Sequence, residues 1–351
     1  MTNDSSIKVE VHGKDISPEA ADSFRHNAAE INKIFANLAE EFGVPWCEVT
    51  FILAEDYAAK VAEIEAAIGS PFAQNVSTDR VGGVARAKAI SMDDDSAQWC
   101  LVFDPFYLVS EDTDPLVILG DRYVFLLTMC HEVAHVLIGR TRAECGFSRE
   151  IDRPSKTACG KARNFAMAAL EEYRADALAS AVLGLVLPEA AQREGESPRR
   201  FTSHDLHGDS YGEGLVLALS GPLVSAMCEA VADFRSDVCG LNDAVVKVWE
   251  LSSATLTLFG HAQAIADEGG RADALRESLA GLNNVADSIA RAWAAIVEPI
   301  RSSGVMFTLD QALTIERALA KTGERAVLRL WEELGIECSD TGDGIWVEPV
   351  L

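Results

Sequence analysis

Residues 122–138 constrain this chain more than any other stretch. They repeat at helical spacing, yet they are apolar nearly all round, from Tyr123, Val124 and Phe125 through Met129 and Val133 to Leu137. A helix with no polar face is normally buried. Asp121 is the expected N-cap and Gly139 the expected residue after the helix end. Inside this apolar stretch, residues 131–135 read His-Glu-Val-Ala-His. Two imidazoles and a carboxylate are costly to desolvate without partners. A shared metal ion would relieve that cost, and so would hydrogen bonds from ordinary core neighbours.

The spacing makes the metal the sharper reading. Positions i and i+4 share one helix face, so His131 and His135 project to the same side and can ligate one ion. Glu132 lies about 100° further round the axis. It can reach a water at the metal without being a ligand, which suits it to act as general base. Cys130 adjoins the motif but points to another face, as a small core residue would.

The rest of the first half alternates between strand and helix signals. Residues 7–11 read as a strand, 18–42 as an amphipathic helix capped by Ser17 and stopped by Gly43, and 48–53 as a second strand. A helix is expected over 56–68, ended by Gly69 and Pro71. Two strands at 81–90 and 98–109, joined by the acidic turn 91–96, suggest a hairpin. Residues 141–160 read as a loop, 161–187 as a second long helix closed by Pro188, and 189–198 as a charged linker. Beyond residue 200 the patterns are mostly helical, with a short β-like tail at 344–350. The expected architecture is α+β. A small mixed sheet and two long helices form a domain over 1–195, and a mostly helical domain follows over 196–351.

A catalytic zinc usually takes three protein ligands and leaves one position for water. The second long helix carries Glu171-Glu172-Tyr173-Arg174-Ala175-Asp176, where Glu172 and Asp176 share a face. Glu171 and Asp176 are rival ligands to Glu172. An HExxH helix followed by a helix bearing ExxAD resembles the gluzincin metallopeptidases, over roughly residues 80–187. The resemblance implies a zincin-like domain in which His131, His135 and Glu172 bind Zn2+ and Glu132 is the base. It also implies that Asp176 hydrogen-bonds His131, since a carboxylate behind a ligating imidazole fixes its tautomer and orientation. The Glu-Tyr-x-Ala-Asp wording resembles the heat-shock and prenyl-protein-processing membrane proteases. The layout is nearer the ImmA/IrrE-type proteases, which usually carry Asn where this chain has Asp176. In such enzymes the strand before the motif helix often forms an exposed edge on which substrate pairs; residues 98–109 are the candidate here, with an ordinary interior strand as the equal alternative.

An oxyanion formed on an attacked carbonyl needs a donor. Tyr173, His204, His207 and Tyr211 are the candidates, and the His204/His207 spacing also allows a second metal. His12, His26 and His261 stand in no informative context. The formal net charge of −25 argues against gripping nucleic-acid backbones or anionic lipid surfaces. The N-terminus has no secretory pattern, and the apolar stretches 177–187 and 214–232 are too short or too broken to span a bilayer. Eight scattered cysteines without a CxxC pair read as reduced thiols of a cytoplasmic protein. These readings favour a zinc peptidase acting on a peptide or protein. The alternatives are a regulatory protease specific for one partner, and a non-catalytic zinc protein whose helical domain binds a partner protein.

Overall fold

Alternating apolar residues on the strands and apolar stripes on the helices decide the layers in this computed structural model, which describes residues 7–69, 79–80, 83–84, 86–93, 95–108, 115–148, 157–186, 202–207, 210–341 and 344–349. Strand β1 (Ile7–His12) leads into helix α1 (Pro18–Glu41) and strand β2 (Glu48–Ala54), and helix α2 (Tyr57–Ala67) follows. Two short strands, β3 (Asp79–Arg80) and β4 (Gly83–Val84), pair antiparallel. Strands β5 (Ala87–Ser91) and β6 (Gln98–Phe103) complete a four-stranded mixed sheet in the order β1-β2-β6-β5. β1, β2 and β6 run parallel, and β5 is antiparallel to β6.

Both faces of this sheet are covered, so its inner strands are apolar on both sides. One face carries Phe103, which meets Phe24 of α1 and Phe125 of helix α3 (Pro115–Glu144), and Phe51, which stacks on Phe103. The other carries Ile52, Ala54 and Val102 against Tyr57, Val61 and Ile64 of α2. The side-chain oxygens of Ser17 and Asp56 cap α1 and α2 by accepting the backbone N–H groups of Ala20 and Ala59. The expected hairpin forms, with Ala97 N–H donating to Asp93 in its turn. The strand expected over 98–109 ends at Phe103, and it is not an edge: β6 lies between β2 and β5, because both of its faces are apolar enough to be buried.

Helix α3 also differs from expectation. It begins before Asp121 and runs through Gly139 to Glu144. Gly139 serves close approach instead of a stop. A Cβ there would lie 2.5 Å from the Trp99 ring of β6, whose indole N–H is anchored on the Ser96 carbonyl.

The chain continues through α4 (Ala158–Val186), α5 (Ser203–His207), α6 (Ser210–Ser220), α7 (Pro222–Arg235), α8 (Leu241–Glu268), α9 (Ala274–Leu279), α10 (Asn284–Ser303) and α11 (Leu309–Glu333). It closes with the antiparallel hairpin of β7 (Ile336–Thr341) and β8 (Gly344–Pro349). The fold is therefore α+β. It divides into two compact units: Met1–Cys145 with Ala175–Leu206 and Thr308–Asp310, and Gly146–Arg174 with His207–Phe307 and Gln311–Leu351. Helix α4 contributes to both units. The linker expected at 189–198 lies outside the described residues. In the second unit Arg174 and Glu316 form a fully buried pair at 2.5 Å, and Arg174 Nε donates to the Val305 carbonyl. Among the described residues one helical stretch, Gly212–Arg235, is apolar and long enough by composition to cross a bilayer, but Gly221 interrupts it between α6 and α7. All eight cysteines are free thiols.

Candidate metal centre

The motif residues sit in the middle of α3, where the helix is otherwise core. Cys130, Val133, Ala134 and Val136 are fully buried around them, and burial pushes the Cys130 thiol up, away from the thiolate form. His131 and His135 are half-buried, while Glu132 is buried at 8% exposure. The two imidazoles face each other with Nε2···Nε2 at 3.0 Å and ring planes inclined at 78°.

Asp176 of α4 stands behind the first imidazole, with His131 Nδ1 2.7 Å from its Oδ1. A carboxylate accepts, so Nδ1 carries the proton and donates. In the neutral ring this leaves the Nε2 lone pair pointing outward, which is the tautomer that ligates a metal. One helical turn before Asp176 comes Glu172. His131, His135 and Glu172 each offer one ligand atom, and these atoms all lie within 4.8 Å of one another. Two nitrogens bound tetrahedrally at zinc distances stand about 3.3 Å apart, close to the observed imidazole spacing. The His-His-Glu cluster can therefore hold a metal ion. It forms because α3 and α4 each present residues four apart on one face, and the Asp176 hydrogen bond sets the rotation of one imidazole.

Glu171 does not join this cluster, and Asp176 is engaged with His131 Nδ1. Tyr173 is turned elsewhere. Its hydroxyl donates to Asp267 of α8 at 2.8 Å and its ring meets Trp293. Burial, reinforced by the Asp267 carboxylate, pushes the phenol well above its usual range. A proton held that way is not offered to an oxyanion. His204 and His207 lie on α5, which is tied to α4 by the Ser203 N–H donating to Ser180 Oγ at 2.9 Å. Neither belongs to the donor cluster, and His204 Nδ1 is buried without a hydrogen-bond partner among the described residues. Tyr211 falls in α6.

Sequence reasoning missed one neighbour. His261 of α8 has its Nε2 3.7 Å from Glu172 Oε2. No local signal marks it, since α8 lies far along the chain and His261 belongs to no motif. A separate cleft of about 750 Å³, lined by His12, Glu55, Lys60, Arg86 and Asp104 among others, contains none of the expected site residues. Its Arg86 pairs with Asp104 at 2.6 Å and its Lys60 with Glu63 at 3.0 Å, so charge there is largely internally matched. Compared with protein-family models, curated proteins and solved structures, the chain matches none.

Proposed function

We propose that this protein is a zinc-dependent metallopeptidase of zincin-like architecture, with Glu132 as its general base. The observation that carries the reading is the closure of His131, His135 and Glu172 on one point, with Asp176 locking the tautomer of His131. Two imidazoles and one carboxylate suit zinc better than the harder divalent ions. The number of donors supports catalysis over a structural role. Structural zinc sites are typically closed by four protein ligands, and here three converge among the described residues.

A zinc ion held there would supply Lewis acidity, activating a water and polarising a carbonyl. Glu132, held on α3 between the two histidines, would take the proton from that water and pass it to the leaving amine. His131, kept in one tautomer by Asp176, would stay oriented throughout. β5 is the terminal strand beside β6 and lies against α3, so an extended peptide would pair along β5 instead of along residues 98–109.

Glu132→Gln tests the reading. The variant should bind one zinc per chain as tightly as the wild type. It should lose peptide hydrolysis by about 10²–10⁴-fold or more, the usual worth of a positioned base. Hydrolysis of a confirmed peptide substrate at the wild-type rate by the zinc-loaded variant would exclude Glu132 as base.

A further inference from the structure

We propose that His261 is a positioning residue of the metal centre, which orients the carboxylate of Glu172 for ligation. The inference rests on the reading of His131, His135 and Glu172 as a metal site, and it adds to that site a residue from a distant helix.

Backbone geometry brings His261 to Glu172. Its neighbour Gly260 lies against α4, where a Cβ would sit 2.6 Å from the Ala169 carbonyl oxygen, 3.3 Å from Tyr173 N and 3.5 Å from Glu172 Cβ. Only glycine allows two helices this close. The next residue along α8 therefore stands over the turn of α4 that carries Glu172. A second lock lies two turns further on. Asp267 accepts from the Tyr173 hydroxyl, from Gln263 Nε2 at 2.9 Å and from the Arg301 guanidinium, which fixes the axial register of α8 on α4. Between these locks, His261 Nε2 comes to 3.7 Å from Glu172 Oε2. That is longer than a hydrogen bond but within the reach of an ion pair.

The place of His261 distinguishes orientation from ligation. It is not among the side chains whose donor atoms all close to within 4.8 Å. A carboxylate that ligates through one oxygen can accept a hydrogen bond at the other, and such partners are typically worth 10–100-fold in metal affinity. Asp176 performs the equivalent service for His131, so two of the three ligands would each be steadied by a group behind them.

The test uses the full chain and measures zinc affinity by competition with a chromophoric chelator, alongside the visible absorption of the Co2+-substituted protein. Four proteins are compared: wild type, Glu172→Ala, His261→Leu and His261→Gln. Far-UV circular dichroism verifies that each is folded. His261→Leu should bind zinc about 10–100-fold more weakly, with an altered cobalt spectrum. His261→Gln retains a donor at nearly the same reach and should recover most of both, which simple loss of packing would not explain. Wild-type affinity and spectrum in His261→Leu would overturn the proposal while leaving the metal site intact. Loss of metal as complete as in Glu172→Ala would make His261 a ligand and overturn the positioning role. Absence of zinc binding by the wild type would instead overturn the metal-centre reading itself.

Discussion

At the scale of single residues, protons and lone pairs govern the site. His131 is useful to a metal only while Nδ1 keeps its proton, and Asp176 at 2.7 Å ensures that it does. If the cluster holds zinc as proposed, Asp176→Ala should weaken its binding about 10–100-fold without changing the stoichiometry, as read by chelator competition. Unchanged affinity would mean that the hydrogen bond is incidental to ligation. The motif His131-Glu132-x-x-His135 and the pair Glu172/Asp176 were legible in the sequence because helical periodicity alone places i and i+4 together. The engagement of Tyr173 was not legible. Its partner Asp267 lies on α8, and no pattern in one sequence announces which hydroxyl finds which carboxylate.

At the scale of elements, Gly139 shows how one residue type can serve two purposes. Glycine after an apolar helical run commonly marks a helix end. Here it lies inside α3, because β6 brings the Trp99 ring to where a Cβ would be. Alanine at this position would gain about 1 kcal/mol of helix propensity. The ring cannot swing away freely, since its N–H is bound to the Ser96 carbonyl at 3.0 Å. Gly139→Ala should therefore be net destabilising, with overpacking costs of about 1–3 kcal/mol, measured as a lower denaturant midpoint. Adding Trp99→Phe should return part of that loss, as coupled neighbours do. A Gly139→Ala protein more stable than the wild type would refute the close-approach explanation. Strand order followed the same logic. The strand expected over 98–109 forms over 98–103, but whether it is an edge depends on which other strand covers it.

For the whole molecule, charge is the dominant global property. A formal net charge of −25 makes the folded chain repel itself. Salt shortens the screening length from about 30 Å at 0.01 M to about 10 Å at 0.1 M. Thermal denaturation should therefore show Tm rising by about 2–4 °C over that range, the shift that about 1 kcal/mol produces in a domain of 150–250 residues. A falling Tm would show that attractive ion pairs such as Arg163–Glu324 and Arg301–Asp267 outweigh the repulsion. The sequence by itself determined the α+β character, the presence of long helices around residues 18–42, 122–138 and 161–187, and the His-Glu-x-x-His and Glu172/Asp176 faces. Periodicity, caps and spacing are local properties of a chain. Only the tertiary structure decided that β6 is interior, that α4 is shared between two compact units, and that His261 stands beside Glu172. Those facts depend on which distant surfaces meet, and close contacts such as Gly260 on the backbone of α4 leave no periodic trace along the chain.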